Sequence, residues 1–170
     1  LFKRFEESNG YSTYVWPRPY GSDVVLQFNL NHPDSVLREI FQDVRFRRAM
    51  SLAINRSEIN DIAYFGHGVP RQLTVVPSSQ YFEPEFARAY AEFDPEKAQS
   101  LLDEMNLVDR DGDGSRDRPD GKPLQITIEY MEGETPKQIT LDLVTAYWRE
   151  VGVNVNLKQI SGTLQRIRAR

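Results

Sequence analysis

The chain has 170 residues, of which 39% are hydrophobic, and it carries a formal net charge of −4 and no cysteine. A chain of this length buries a core large enough for one domain, or for one lobe of a larger protein. The acidic balance excludes a broad electrostatic attraction to nucleic acid. No apolar stretch approaches the roughly 20 residues that cross a bilayer, and the lack of cysteine excludes a disulfide framework, a thiolate nucleophile and a cysteine-based zinc site.

The N-terminal part of the sequence predicts two β-strands, at residues 11–16 and 24–30. Both segments are rich in aromatic and β-branched residues, and segment 17–23, which contains two prolines and a glycine, separates them. We expect these two strands to pair antiparallel.

Residues 43–59 predict a helix, a corner and a second helix. Apolar residues recur at i, i+3, i+4, i+7 and i+8, the spacing of one helical face. They are Phe46, Ala49, Met50, Ala53 and Ile54. Asp43 is expected to cap the first helix. Asn55 and Glu58 form a capping pair for the second helix, which we expect to close at Gly66.

The next part of the chain predicts an irregular connector followed by a helix. Residues 70–84 contain three prolines and two serines, a composition typical of an ordered loop. Asp94 and Pro95 are a helix start, and the helix is expected to end near Asn106. Its narrow apolar stripe consists of Ala98, Leu101, Leu102 and Met105.

The C-terminal part predicts a strand, a helix and a second strand. Apolar residues alternate with polar ones over residues 124–130 and again over 153–157, which is the period of a strand. Between them, a capping box at Thr135 begins a helix that is expected to end at Gly152. Its predicted buried face consists of Ile139, Leu143, Ala146, Tyr147 and Val151. The unit has the length of a right-handed crossover between parallel strands, so the fold class is α/β. From residue 161 the chain is expected to turn into a further helix.

Two stretches of the sequence resemble the bacterial extracellular solute-binding proteins of family 5, which deliver peptides, and sometimes nickel complexes or sugars, to ABC importers. One is FNLNHPDS…FQDVRFRRAMSLAINRSEINDIAYFGHGVP, in which Asn55 replaces the Asp usual in that family; the other is FDPEKAQSLLDEMNLVDRDGDGSRDRPDGKPLQITIEY. The matching positions of the first stretch are Phe28, Asn29, Asp43, Arg45, Arg47, Arg48, Ala49, Ala53, Ile54, Arg56, Gly66, Gly68 and Pro70. Together the matches cover most of residues 26–160. Because Asn caps helices as Asp does, the exchange at position 55 leaves the fold intact.

The resemblance implies one lobe of a type II periplasmic-binding-protein fold, with a mixed sheet and flanking helices. Residues 1–170 are then a single domain from the C-terminal half of a larger two-lobed protein. The implied function is reversible capture of a peptide or similar small solute, and delivery to a permease in the membrane. The implied location is periplasmic or extracellular, with a lipid anchor as one mode of attachment. No cofactor is required, and neither catalysis nor a nucleic-acid partner is expected.

Two predicted strand-end residues are candidates for contact with a solute, namely Phe28 and Asn29. Asn29 would present an amide at a cleft, and Phe28 would offer a rigid aromatic surface. Core packing is the alternative role of the aromatic residue, and a hydrated surface position is the alternative for the amide.

The acidic loop at residues 109–120 resembles the calcium loop of an EF-hand. Carboxylates fall at loop positions 1, 3, 5, 9 and 12, with glycine at position 6 and the backbone carbonyl of Ser115 at position 7. The candidate ligands are Asp109, Asp111, Asp113, Ser115, Asp117 and Asp120. The departures are an Asp at the last position, Pro119 before it, and a strand after the loop. The alternatives are a Ca²⁺ that braces the lobe and a plain solvated turn; a calcium-stabilised adhesion or interaction module is the second functional hypothesis.

The remaining charged and titratable residues favour structural roles. We expect Arg45, Arg47 and Arg48 to form a solvated helix flank paired with acids, although they could also hold an anion or a partner lobe. The acids in reach are Glu39, Asp43 and Glu58. His32 and His67 have no neighbour at a spacing that makes a nucleophile system or metal site, so a hydrolase is the remote third hypothesis.

Overall fold

The computed structural model describes residues 5–14, 21–131 and 136–168. Its α-helices are α1 (Glu6–Asn9), α2 (Ser35–Gln42), α3 (Val44–Leu52), α4 (Arg56–Tyr64), α5 (Pro84–Arg88), α6 (Pro95–Glu104), α7 (Lys137–Glu150) and α8 (Gly162–Arg168). Its strands are β1 (Gln125–Tyr130) and β2 (Asn154–Gln159). No described helix is long and apolar enough to span a bilayer.

The C-terminal unit β1–α7–β2 is a crossover between two parallel strands, as predicted. The register runs from Gln125 opposite Asn154 to Tyr130 opposite Gln159. In β1 the inward residues, Ile126 and its alternating neighbours, are more buried than the polar residues between them. This confirms the α/β class.

The predicted helix–corner–helix unit is also confirmed. Asp43 accepts a hydrogen bond from the backbone N–H of Arg45 at 2.8 Å, and Asn55 accepts one from that of Glu58 at 3.1 Å. Both acceptors satisfy amides that have no partner within their own helix. All five residues of the predicted apolar face are buried. The second helix ends at Tyr64. Phe65, its C-cap, has a left-handed backbone with φ 54°, and Gly66 follows at φ 75°.

The core lies where α2, α3, α6, α7 and β1 meet. Phe46, Leu102 and Leu124 are fully buried there. Trp148 on α7 is 2% exposed, and its indole N–H donates to the carbonyl of Met50 on α3 at 2.9 Å. This bond joins residues 98 positions apart, so it ties the crossover helix to the helix–corner–helix unit.

The two predicted N-terminal strands are wrong for the described residues. Residues 11–14 form no strand, while residues 15–16 lie outside the described residues. Residues 24–30 run without a ladder partner among the residues that the structure describes. A composition rich in β-branched and aromatic residues makes a segment compatible with a strand. The strand forms only when a neighbouring backbone supplies hydrogen-bond partners.

The structure also corrects two details of the helices. The face of α7 that is buried includes Thr140, Leu141, Val144, Tyr147 and Trp148. Ile139, at 46% exposed, and Ala146 were both predicted to be buried and are exposed. The helix turns this way because the indole of Trp148 is the largest apolar group on it. The predicted capping residue Thr135 lies outside the described residues, and Pro136 precedes the helix without a side-chain cap.

Helix α2 has no counterpart in the sequence-based prediction. Asp34 begins it by accepting hydrogen bonds from the N–H groups of Val36 and Leu37, at 2.9 and 3.1 Å. The local signal was available, because Pro33, Asp34 and the apolar spacing after them are a helix start.

Candidate functional site

A groove of about 1280 Å³ lies beside residues 24–30. Helices α3, α4 and α7 and the connector at residues 67–77 contribute its other walls. Most of its lining is apolar, and Met50, Ile59 and Trp148 form part of it. A concave surface with apolar walls and a few polar groups is the usual form of a binding site.

Phe28 belongs to the core as well as to this groove. Its ring lies 5.3 Å from those of Phe41 and Phe46 and stacks on Trp148 at 6.0 Å between centroids. Asn29 is exposed, and its side-chain oxygen accepts a hydrogen bond from the N–H of Asn31 at 3.0 Å. The described groove lining does not include Asn29. Contact of Phe28 and Asn29 with a solute stays a prediction.

Four arginines line the groove: Arg47, Arg48, Arg56 and Arg71. None forms an ion pair with a carboxylate among the described residues; instead, three of them donate to backbone carbonyls. Arg48 lies over the ring of Tyr90, 4.6 Å from its centroid. The groove therefore gathers positive charge in a chain whose net charge is negative.

The hydroxyl of Ser51 organises one wall of this groove. It donates to the carbonyl of Tyr90 at 2.7 Å and accepts from Arg56 at 2.8 Å and from Gln72 at 2.5 Å. Burial lowers the pKa of Arg56 from its ordinary value, but the guanidinium stays charged at neutral pH because the ordinary pKa of arginine lies far above it. This network fixes the connector against helix α3.

The prediction for the helix-flank arginines is confirmed for Arg45 alone. Arg45 pairs with Asp43 at 2.7 Å, and the hydrogen bond from Arg45 holds the pKa of Asp43 below its usual value. Arg47 instead donates to the carbonyls of Phe41 and Gln42, both at 2.7 Å. Those carbonyls lie at the end of α2, where the backbone has no helical partners and attracts cations.

Three of the six predicted calcium ligands converge. Oxygen atoms of Asp109, Asp111 and Asp113 lie within 4.8 Å of one another, and all three residues are exposed. Asp109 accepts hydrogen bonds from the N–H groups of Gly112 at 2.8 Å and Gly114 at 2.9 Å. These backbone bonds, that from Gly114 first, lower the pKa of Asp109.

Two of the other predicted ligands, Asp117 and Asp120, have protein partners. Asp117 is buried and accepts from the N–H of Arg110 at 3.0 Å. Asp120 pairs with Arg118 at 2.8 Å. At Ser115 the predicted ligand is the backbone carbonyl, whereas the hydroxyl accepts from Asn154 at 2.8 Å. Three carboxylates supply only part of the six to eight oxygens that Ca²⁺ takes. Calcium binding stays a prediction, with Asp109, Asp111 and Asp113 as the side chains that would hold the ion.

A calcium titration of the 170-residue chain, followed by its melting temperature, tests this prediction. If the loop binds Ca²⁺, the melting temperature rises saturably, by about 2–4 °C for each kcal/mol of binding free energy. Asp111→Asn removes one charge from the cluster and should abolish the rise, whereas Asp142→Asn, an exposed acid on α7, should leave it unchanged. An unchanged melting temperature in the unmodified chain would make the loop a plain turn.

The sequence analysis did not predict the structural role of two buried arginines in the acidic loop, Arg116 and Arg118. Arg118 is buried and lies between Asp34 at 2.9 Å and Asp120 at 2.8 Å. Arg116, also buried, donates to the carbonyl of Val151 at 2.7 Å, to that of Leu107, and to Asp103. The alternation of Arg and Asp at residues 116–118 was the available signal. The loop therefore combines exposed carboxylates at residues 109–113 with buried guanidinium groups at residues 116 and 118.

The two histidines lie apart in structural roles. The Nδ1 of His32 accepts from the N–H of Asp34 at 3.1 Å, and its ring packs edge-on against Phe41 at 5.7 Å. His67 is exposed at the rim of the groove. The described residues place neither histidine in a nucleophile–base arrangement.

The parallel crossover, the flanking helices and the groove define an α/β lobe of the type II periplasmic-binding-protein kind. Residues 3–170 match the family model described as bacterial extracellular solute-binding proteins, family 5 Middle. The chain belongs to this family.

Each relative matches most of this chain, although the matched part is a small fraction of the relative's own length. A solved oligopeptide-binding protein OppA is 43% identical with a TM-score of 0.87, over 96% of this chain and 26% of that one. The mannohexaose-bound periplasmic oligopeptide-binding protein of an ABC transporter from Thermotoga maritima is 26% identical with a TM-score of 0.66, over 96% and 31%. A probable ABC transporter-binding protein from Deinococcus radiodurans is 28% identical, over 80% and 23%. The chain thus spans about a quarter of the length of its relatives.

Proposed function

We propose that these 170 residues are one lobe of the solute-binding component of an ABC importer, and that the parent protein captures peptides. The observation that carries the proposal is the family match over residues 3–170, together with the 43% identity to an oligopeptide-binding protein over almost the whole chain. The parent protein is proposed to work in the periplasm or outside the cell and to deliver its solute to a membrane permease. Its chemistry is reversible binding without a catalytic step.

The proposed mechanism is closure of two lobes around the solute. A solute shifts the equilibrium between open and closed forms only by binding the closed form better. This lobe supplies a rigid frame for such a movement, because Trp148, the Ser51 network and the arginines beneath the acidic loop join its segments. The comparisons give no support to an adhesion module.

The test is calorimetric titration of the full-length gene product, freed of co-purified solute by partial unfolding and refolding. Defined peptides of two to nine residues form one arm, and mannohexaose forms a second, because one relative binds that sugar. We expect saturable peptide binding with a Kd of about 1 μM or tighter, corresponding to about −8 kcal/mol. If only the sugar binds, the assignment to an importer component stands, and the proposed solute becomes a sugar instead of a peptide.

A further inference from the structure

The side chain of His32 lies at the start of helix α2 and is held there by several contacts. Its Nδ1 accepts a hydrogen bond from the backbone N–H of Asp34 at 3.1 Å, and its ring packs edge-on against Phe41. The carbonyl of His32 accepts from Arg38 at 3.0 Å, and the backbone N–H of His32 donates to the carbonyl of Asn29 at 3.2 Å. The imidazole is therefore fixed with Nδ1 in the role of an acceptor.

This role of Nδ1 requires a neutral imidazole. When Nδ1 accepts, the single ring proton is on Nε2, whereas in the imidazolium ion both nitrogens carry a proton and both are donors. A solvent proton added at Nδ1 of His32 places two donors, Nδ1–H and the N–H of Asp34, against each other. Imidazole is the side chain that commonly gains its proton between about pH 8 and pH 5. Acidification in this range therefore removes the contact.

The carboxylate of Asp34 is already engaged. It accepts from the N–H groups of Val36 and Leu37, and from the guanidinium of Arg118 at 2.9 Å. The hydrogen bond from Leu37 is the main cause that lowers the pKa of Asp34 below its ordinary value, so Asp34 stays charged down to about pH 5. A protonated imidazole has to compete with Arg118 for this carboxylate.

The charged groups at this corner come from helix α2 and from the acidic loop. Helix α2 contributes Arg38 and begins at Asp34, and the loop contributes Arg118, which joins Asp34 to Asp120. Two guanidinium groups thus lie close to His32, and both repel a further positive charge there. These charges favour loss of the Nδ1 contact over its replacement by a new ion pair.

We propose that His32 is a pH-sensitive switch at the start of helix α2, closed while the imidazole is neutral and opened when Nδ1 is protonated. The change reaches the acidic loop, because Asp34 is both the N-cap of α2 and the partner of the buried Arg118. It also reaches the groove, because residues 24–30, most of which line it, end two positions before His32. The closed corner binds fewer protons than the open one, so its stability rises with pH.

Hydrogen exchange of the full-length gene product at about pH 8 and pH 5, read by mass spectrometry, tests the switch. The rates are corrected for the intrinsic pH dependence of amide exchange. We expect the protection of peptides that cover residues 32–38 to be at least about tenfold lower at the acidic value. The amides of β1, Gln125–Tyr130, are the internal reference and should keep their protection. Equal protection of residues 32–38 at both values would overturn the proposal.

Substitutions of His32 identify the group that senses pH. His32→Asn provides a carbonyl oxygen that accepts without gaining a proton, so we expect protection at both pH values. His32→Leu has no acceptor, so we expect low protection at both. His67→Asn, which changes the exposed histidine at the rim of the groove, should keep the fall of the unmodified protein. A fall that persists in either His32 variant, or one that disappears in His67→Asn, would overturn the assignment of the switch to His32.

Discussion

Replacing Trp148 with alanine is expected to lower the free energy of unfolding of the 170-residue chain by about 4 kcal/mol. The indole is 2% exposed, stacks on Phe28 and donates to the carbonyl of Met50. The substitution removes the packing of a large aromatic group, leaves a cavity, and deprives a buried carbonyl of its donor. Urea denaturation followed by circular dichroism measures the change.

Two variants control this experiment. Trp148→Phe keeps an aromatic ring but removes the N–H, so its expected cost is about 1–2 kcal/mol. Phe65→Ala changes an aromatic side chain that is 82% exposed, and its cost should stay below about 1 kcal/mol. Equal stability of Trp148→Ala and Phe65→Ala would show that α7 does not pack on α3 as described.

Replacing Arg116 with methionine is expected to lower the free energy of unfolding by about 2–3 kcal/mol. Methionine preserves much of the apolar length of the side chain but cannot donate to the carbonyls of Val151 and Leu107. The carbonyl of Val151 lies at the end of α7, and that of Leu107 follows α6. Leaving a buried acceptor without a donor costs free energy of folding. The same denaturation experiment measures the effect.

Arg110→Met is the matched control for Arg116→Met, because it makes the same chemical change six residues away in the same loop. The side chain of Arg110 is 40% exposed, against 10% for Arg116, and its ion pair with Asp117 spans 3.8 Å. Because this pair is long, its arginine is solvent-exposed and Asp117 keeps the backbone N–H of residue 110 as a donor, we expect a loss of at most about 1 kcal/mol. A loss for Arg110→Met as large as that for Arg116→Met would contradict the buried role of Arg116.

Gly152 allows the side chain and backbone of Arg116 to pack directly against the end of α7. The glycine has φ +83°, and a Cβ atom there would lie 2.7 Å from the Cγ of Arg116. The backbone N–H of Arg116 also donates to the carbonyl of Gly152 at 2.8 Å. The end of the crossover helix and the acidic loop thus meet at a point where only glycine fits without displacement.

The sequence predicted the features that depend on near neighbours. Asp43 and Asn55 cap helices through atoms two or three residues away, so their role follows from local spacing. The parallel crossover was also accessible, because alternation and helical period place two strands around one helix. The α/β class of this chain could therefore be predicted from the local spacing of apolar and polar residues.

Apart from helix α2, whose start at Asp34 has a local signal, the features that were missed depend on distant partners. Arg118 meets Asp34 across 84 positions, and Trp148 meets Met50 across 98, so no local pattern identifies either pair. The acidic loop shows the same limit, since spacing alone could not separate the three converging carboxylates from those engaged by arginines. For residues 24–30 the side-chain pattern predicted a strand, but the described residues supply no backbone ladder for it.

Peptide titration of the solute-free full-length product tests the central claim most directly. The account predicts saturable binding of at least one peptide of two to nine residues, with no hydrolysis of that peptide after prolonged incubation. Failure of every peptide and of mannohexaose to bind, in a protein whose folding is verified by circular dichroism, would contradict the assignment of these 170 residues to a solute-capturing importer component.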